Sequence, residues 1–176
     1  EICNLSKLKT VYIEFANLIK LPAEIFNLIN IKELRIIYRE LKEVPKEIVN
    51  LVNLENIYIN CDYSYYHFDD YYSALANPPK ECLKLEKTLQ LISKLTKLKS
   101  LEIKCKHLKS LPKEIGNLVK LEKLKMCCEK LKKLPKEIGN LTNLKKLEID
   151  CKKLKEIPHE IKKLINLEYI HILWDG

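Results

Sequence analysis

A 23-residue phrase recurs along this chain and constrains its fold more than any other feature. Three copies are close: LPAEIFNLINIKEL from Leu21, LPKEIGNLVKLEKL from Leu111 and LPKEIGNLTNLKKL from Leu134. Weaker copies begin at Val44 and Ile157. Self-similarity at a fixed period of this size predicts a solenoid, in which each unit packs only on its neighbours. Such a fold offers a long surface and no closed pocket, so the period favours binding over catalysis.

Each repeat contains a strand-like segment of the pattern L-x-x-L-x-I-x-C. Seven copies begin at Leu8, Ile31, Leu54, Leu98, Leu121, Leu144 and Leu167. Alternation of apolar and polar residues predicts strands with one buried face. We therefore expect three inward side chains per strand: Val11, Ile13, Phe15; Leu34, Ile36, Tyr38; Ile57, Ile59, Cys61; Leu101, Ile103, Cys105; Leu124, Met126, Cys128; Leu147, Ile149, Cys151; and Ile170, Ile172, Trp174. A further inward leucine follows in most copies, at Leu18, Leu41, Leu108, Leu131 and Leu154.

The second half of each repeat, P-x-E-I-x-N-L-x-x-L, predicts a short helical turn. Proline is tolerated where a helix begins, and the glutamate that follows it suits the positive end of the helix dipole. The spacing of Ile115, Leu118 and Leu121 suits a 3₁₀ or α turn that covers one face of the sheet. The sequence thus predicts parallel strands along one wall and short helical segments along the other.

These motifs resemble the leucine-rich repeat family in its 23-residue form, with the L-P-x-E-I-x-N-L signature. The match covers roughly residues 1–61 and 89–176. This form occurs in bacterial repeat proteins and in intracellular Ras-binding-type repeat proteins. The resemblance implies an α/β solenoid, a right-handed horseshoe with a concave parallel sheet of about seven strands and short 3₁₀ or α segments on the convex side. It also implies a non-enzymatic scaffold that binds a protein through the concave sheet.

The chain departs from the family pattern at position nine of the strand motif, where the family places Asn or Cys. Here the cysteines lie one position earlier and continue the inward alternation. They predict a buried row of Phe15, Tyr38, Cys61, Cys105, Cys128, Cys151 and Trp174. Parallel strands project these thiols side by side about 4.8 Å apart, which suits neither tetrahedral zinc nor an unstrained disulfide. We therefore expect a packing role and no metal or other cofactor. Cys127, which faces outward beside this row, is the one thiol that we expect to react with an alkylating reagent.

The repeat is interrupted between Cys61 and Leu98, because the strand motifs that begin at Leu54 and Leu98 are separated by nearly two periods. Residues 62–88 are either an irregular insertion within the single domain 1–176 or a degenerate repeat. Insertions in repeat proteins often contribute to the binding face, and tyrosine-rich loops provide rigid contact area. The candidate partner-binding residues here are Tyr63, Tyr65, Tyr66, Phe68, Tyr71 and Tyr72. A docking helix is predicted after Asn77-Pro78-Pro79, with Cys82, Leu85, Leu89, Ile92 and Leu95 at helical spacing.

Outward positions of the first three strands form a second candidate surface. Tyr12, Arg35, Ile37 and Tyr58 lie on adjacent predicted strands. Tyrosine and arginine are enriched at binding hot spots, whereas scattered surface aromatics carry no such meaning. The clustering favours a contact surface shared with the tyrosine-rich insertion.

A catalytic arrangement is also conceivable from the outward positions Cys127, Asp150 and His171. The thiol and the imidazole are two strand spacings apart, roughly 9.5 Å. A nucleophile and its base need hydrogen-bonding distance, about 3 Å. We therefore predict that the chain is not an enzyme.

Charge is uneven along the chain. Residues 1–80 hold 9 Lys or Arg and 11 Asp or Glu, a net charge of −2, whereas residues 81–176 hold 23 and 13, a net charge of +10. One interpretation is that lysines occupy exposed loop positions and serve only the solubility of the protein. The alternative function is binding of an anionic polymer, such as nucleic acid, or an anionic surface by a lysine ridge that follows the later strands: Lys106, Lys109, Lys130, Lys132, Lys133, Lys152, Lys153 and Lys155.

No apolar run approaches the roughly 18 residues of a membrane span, and no signal peptide is visible. The opening EICNLSKL begins in the middle of a repeat without an initiator Met, so we expect a fragment whose cap and any export signal lie upstream. The odd number of cysteines, seven, favours a reducing compartment such as the cytoplasm, and secretion stays open. We expect a monomer.

Overall fold

The computed structural model of the chain describes residues 5–15, 20–38, 43–61 and 85–173, without the Phe15 side chain. Seven strands form one open parallel sheet whose spatial order follows the sequence, as predicted. The strands are β1 (Thr10–Phe15), β2 (Glu33–Tyr38), β3 (Asn56–Asn60), β4 (Ser100–Lys104), β5 (Lys123–Cys127), β6 (Lys146–Asp150) and β7 (Tyr169–Leu173). One helix, α1 (Leu85–Ile92), precedes β4.

The strands pair in the register that the repeat alignment predicts. Tyr12 pairs with Arg35, and Arg35 pairs with Tyr58, each at the same position of the next repeat. Tyr58 then pairs with Glu102 across the interruption, so the extra residues leave the sheet continuous. Residues of equal position in successive repeats therefore form straight rows across the sheet.

The inward rows and the short segments on the opposite wall form one hydrophobic core. Inward residues of β2 to β6 are buried, and so are Leu108, Leu131 and Leu154. On β7 the inward register is kept, but Ile170 is 52% exposed and Ile172 is only partly buried. Within the described residues no further strand packs over β7, so its inward side chains are covered on one side only. Leu18, Leu41 and Trp174 lie outside the described residues.

The predicted turns are 3₁₀ segments of equal length: Ala23–Asn27, Lys46–Asn50, Lys113–Asn117, Lys136–Asn140 and His159–Lys163. A proline precedes each segment, and its carbonyl accepts a hydrogen bond from the N–H of the segment's isoleucine, as in the 3.1 Å bond from Ile115 to Pro112. The glutamate of each first turn lies where the helix dipole favours negative charge. Ile48, Ile115 and Ile138 of these segments are fully buried.

Helix α1 confirms the helical spacing predicted before β4. Leu85, Leu89 and Ile92 face the core, and Leu95 follows in the same cluster. Cys82 and the proposed helix start at Asn77-Pro78-Pro79 lie outside the described residues. None of the helices in the described ranges is long and apolar enough to cross a bilayer.

Two polar rows at the edge where the strands begin were not predicted. The side chains of Asn30, Asn53, Asn143 and Asn166 each donate a hydrogen bond to a backbone carbonyl of the preceding repeat, at 2.7–3.0 Å. Next to them lies a row of charges immediately before each strand. In this row Glu55 bridges two lysines: its carboxylate oxygens lie 2.9 Å from Lys32 Nζ and 2.8 Å from Lys99 Nζ.

The 3₁₀ segments stack most closely at Gly116 and Gly139. A Cβ on Gly116 would lie 2.6 Å from the carbonyl oxygen of Glu137, and a Cβ on Gly139 would lie 2.6 Å from that of Glu160. Real Cβ atoms do not approach backbone this closely, so the neighbouring segment would have to move.

We expect Gly116→Ala and Gly139→Ala to lower the free energy of unfolding by about 1–3 kcal/mol each, the usual cost of overpacking. Urea denaturation followed by circular dichroism measures the change. Lys162→Ala is the matched control, because Lys162 has the same position in the last 3₁₀ segment and is exposed. Equal stability of the glycine variants and the wild type would contradict the close stacking.

The bridging carboxylate predicts a pH dependence of stability. Hydrogen bonds from Lys99 and Lys32 lower the pKa of Glu55 from 4.5 to about 2. Because the folded-state pKa lies below the unfolded value, the stabilisation is present above about pH 4.5 and is lost as the pH falls towards 2. The thermal midpoint of the wild type should therefore fall more steeply over this range than that of Glu55→Gln. In about 1 M NaCl, which screens exposed pairs, the two slopes should converge; parallel slopes at low salt would refute the bridge.

Candidate protein-binding surface

The face of the sheet opposite the 3₁₀ segments, called here the open face, carries the outward side chains of all seven strands. Near its first strands, Arg35 and Lys104 both approach the ring of Tyr58. The Arg35 guanidinium carbon lies 5.0 Å from the ring centroid and Lys104 Nζ lies 5.7 Å from it. Both distances are within the range of cation–π attraction. The tyrosine is thus held between two cations that come from β2 and β4.

Tyr12 extends this group onto β1. Its side chain is exposed, at 55%, and its hydroxyl donates a 2.5 Å hydrogen bond to Glu14. That bond raises the pKa of the Tyr12 phenol. Arg35 is also held by Glu33, whose carboxylate lies 3.7 Å from the guanidinium. We call Tyr12, Arg35, Tyr58 and Lys104 the aromatic–cation cluster.

Ile37 does not belong to the accessible surface that the sequence predicted. Although it has an outward position on β2, its side chain is only 9% exposed. Its register neighbour on β3, Asn60, is 1% exposed. This end of the open face on β2 and β3 is therefore covered, and Ile37 offers little area to a partner. The other predicted contact residues, Tyr63, Tyr65, Tyr66, Phe68, Tyr71 and Tyr72, lie outside the described residues.

The structure brings Lys104 into the site, which sequence reasoning had left out. Its position in the repeat marks it as outward, but the repeat alignment does not reveal that its ammonium turns towards Tyr58. On the same strand Glu102 lies 3.9 Å from the Lys104 ammonium. The repeat alignment predicts that β3 and β4 are neighbours, but it does not predict the conformation of the Lys104 side chain.

Cys127, Asp150 and His171 do not assemble into a catalytic group. Cys127 pairs with Asp150 on β6, whereas His171 on β7 pairs with Glu148. A whole strand therefore separates the thiol from the imidazole. Glu148 is instead bound by Lys125, whose ammonium lies 2.7 Å away, and this pairing lowers the pKa of Glu148.

The predicted inward row of thiols is present in the described part of the chain. Tyr38, Cys61, Cys105, Cys128 and Cys151 are buried. The side chain of Phe15 and all of Trp174 lie outside the described residues. The hydrogen bond with Cys151, together with burial, raises the pKa of Cys128 well above its usual range. Among the described residues, no group of three or more His, Cys, Asp or Glu is arranged to hold a metal.

The lysine ridge lies in the turns after β4, β5 and β6, as predicted. Some of its charge is neutralised, since Lys106 lies 3.9 Å from Glu129 and Lys133 lies 3.5 Å from Glu156. Lys130 Nζ lies 3.1 Å from His107 Nδ1. The remaining ridge lysines are exposed and, among the described residues, have no carboxylate within ion-pair distance: Lys109, Lys132, Lys152, Lys153 and Lys155.

A cavity of about 400 Å³ lies beside α1, on the wall opposite the open face. Its lining combines Lys20, Lys46 and Lys87 with Glu43 and Glu47. Charges of both signs surround it, so the lining favours neither an anionic nor a cationic ligand. The charges that line the cavity therefore do not indicate a binding site for a particular class of ligand.

Comparison with known proteins agrees with this architecture. A family model described as a leucine-rich repeat region matches residues 80–175, more than half of the chain. The chain belongs to the leucine-rich repeat family. Curated protein sequences gave no significant match.

Two solved leucine-rich repeat structures resemble the chain in fold. A leucine-rich repeat protein of Leptospira interrogans is 24% identical, with a TM-score of 0.53, over 98% of this chain and 50% of that protein. An internalin of Listeria monocytogenes is 16% identical, with a TM-score of 0.52, over 99% of this chain and 49% of its own. This leucine-rich repeat chain thus spans about half the length of both. At these identities the likeness concerns the fold alone.

Cys127 is the one thiol among the described cysteines that is not buried. Partial burial, followed by the charge of Asp150, raises its pKa above the usual 9.0. We therefore expect slow alkylation of Cys127 by iodoacetamide at neutral pH and a steep rise in rate as the pH approaches and passes 9.0, because the thiolate is the nucleophile. Peptide mass spectrometry reports the rate at each cysteine separately.

Asp150→Asn provides the control for this prediction. Removing the negative charge lowers the pKa of Cys127, so alkylation at mildly alkaline pH should accelerate. An unchanged rate in Asp150→Asn, or faster labelling of Cys128 than of Cys127, would contradict the geometry.

Proposed function

We propose that this chain is a non-enzymatic protein-interaction module that binds a protein partner through the open face of its sheet. The aromatic–cation cluster carries the proposal. Tyrosine and arginine dominate binding hot spots because they combine large apolar area with polar ends. Tyr58 is already held by Arg35 and Lys104, so little side-chain freedom is lost when a partner docks.

The size of the open face suits a protein. Seven strands give six spacings, and at about 4.8 Å each the sheet is about 29 Å wide. Protein interfaces of standard size bury about 800 Å² on each partner. A small molecule would instead need an enclosed cavity, and the open face is an extended surface.

The tyrosine-rich segment 62–88 extends the proposed surface. It follows β3, which carries Tyr58, and precedes β4, which carries Lys104. Loops rich in tyrosine provide contact area at low entropic cost, which supports a role for Tyr63, Tyr65, Tyr66, Phe68, Tyr71 and Tyr72. The sequence composition of this segment and its position in the chain between β3 and β4 support including it.

The experiment compares capture of proteins by the wild type and by variants of the open face. The double variant Arg35→Ala/Tyr58→Ser removes the centre of the cluster. Lys113→Ala/Lys136→Ala is the matched control, since both lysines lie in 3₁₀ segments on the opposite wall. A partner captured by the wild type and the control is then purified and its Kd measured by calorimetry.

We expect the cluster variant to weaken binding of that partner by about 30-fold, which corresponds to the roughly 2 kcal/mol of a hot-spot residue. A second variant, Tyr65→Ser/Tyr66→Ser/Tyr71→Ser/Tyr72→Ser, tests the contribution of the insertion. Unchanged affinity in both variants would refute the proposed surface.

The lysine ridge provides the competing function, binding of an anionic polymer. That function predicts retention on heparin that falls steeply with salt, because phosphate or sulfate contacts release counterions. It also predicts that Lys132→Gln/Lys155→Gln reduces retention while the cluster variant does not. This outcome, together with no saturable protein partner, would favour the alternative over the proposal.

A further inference from the structure

Charged side chains on neighbouring strands of the second half of the sheet follow a regular order of sign. Immediately before the strands the row reads Lys99, Glu122, Lys145, Glu168, and at the centre of the strands it reads Glu102, Lys125, Glu148. Contacts accompany this order: Lys145 Nζ lies 2.9 Å from Glu122 and Lys125 Nζ lies 2.7 Å from Glu148. In both rows each charge thus has an opposite charge beside it.

Lys123 and Lys146 break this order. They are register partners on β5 and β6 and both have outward positions on the open face. Like charges directly opposite each other on neighbouring strands are destabilising. Among the described residues neither ammonium has a carboxylate within ion-pair distance, and the nearby carboxylates of Glu122 and Glu148 are bound by other lysines.

Hydroxyl groups flank the two lysines in the same row. Ser100 pairs with Lys123 on one side, and Lys146 pairs with Tyr169 on the other. Lys146 is exposed and Tyr169 is 48% exposed, whereas Ser100 and Lys123 are partly covered. All four side chains can donate hydrogen bonds, and an ammonium cannot accept one. We call these residues the donor row.

We propose that the donor row binds the carboxylates of an acidic segment of the protein partner. This inference rests on the proposed function and names the chemistry of the partner. Charge-assisted hydrogen bonds from two ammonium groups would neutralise the uncompensated charge. A protein segment suits the surroundings better than a continuous polyanion, because Glu102, Glu148 and Asp150 on the same face would repel a run of phosphates.

The test uses fluorescence anisotropy with a fluorescein-labelled Gly-Glu-Gly-Glu-Gly peptide, whose two carboxylates are separated by neutral residues, and, as a neutral probe, the corresponding Gly-Gln-Gly-Gln-Gly peptide. The variant Lys123→Gln/Lys146→Gln removes the two charges of the donor row. Lys132→Gln/Lys155→Gln is the matched control, because these exposed ridge lysines also lie at equal positions of consecutive repeats and their replacement removes the same charge. Relief of the like-charge contact should leave the thermal midpoint of the donor-row variant at or above that of the wild type, so unfolding cannot explain a loss.

We expect saturable binding of the glutamate peptide by the wild type, about tenfold weaker binding by the donor-row variant, as for two charge-assisted contacts, and a change below about twofold in the control. No binding by the wild type, equal loss in both variants or equal binding of the glutamine peptide would overturn the inference. Tighter binding of a single-stranded oligonucleotide through Lys123 and Lys146 would overturn the choice of a protein segment.

The partner identified in the capture experiment separates this inference from the proposed function. If that partner loses affinity with Arg35→Ala/Tyr58→Ser and keeps it with Lys123→Gln/Lys146→Gln, the protein-binding function stands and the inference about the donor row is overturned. If both variants lose affinity, both statements stand. If neither variant loses affinity for the partner, both the proposed binding surface and the role of the donor row are overturned.

Discussion

The register of the parallel sheet is the constraint on which the rest of the structure depends. Each strand exchanges backbone hydrogen bonds with its neighbours at a fixed offset in sequence, one period in every regular repeat. Side chains at the same position of successive repeats therefore lie side by side, so the residues at each repeat position form a row across the sheet. An apolar inward row forms part of the core, and a row of alternating charges forms ion pairs between neighbouring strands. Two like charges at the same position, such as Lys123 and Lys146, are placed next to each other on the open face.

This constraint explains how much could be predicted from sequence. The period was sufficient for the strands, the inward rows and the 3₁₀ segments, and helical spacing of apolar residues within the interruption was sufficient for helix α1. Ile37 has the predicted outward position but is only 9% exposed, because alternation describes direction along a strand and says nothing about what covers the outward face. Ile170 has the predicted inward register but is 52% exposed, because a side chain in such a row is buried only when neighbours cover it from both sides.

Polar rows were missed for a different reason. The family pattern places an asparagine at position nine of the strand motif. The asparagines that form hydrogen bonds between repeats in this chain instead lie immediately before the motif begins, at Asn30, Asn53, Asn143 and Asn166. Their common place in the repeat was a sufficient signal. The approach of Lys104 to Tyr58 had no such signal, since the repeat alignment gives the pairing of their strands but not the conformation of a long side chain on the open face.

Close stacking at Gly116 and Gly139 has a consequence for the shape of the solenoid. Backbone hydrogen bonds keep strand spacing nearly constant, so the bend of each repeat depends on how closely the opposite wall can approach. In the earlier repeats the position of these glycines is occupied by Phe26 and Val49, whose Cβ atoms forbid the same approach. One side-chain position per repeat therefore affects how closely successive repeats stack on this wall, and substitutions there can change the curvature of the open face without altering any of its side chains.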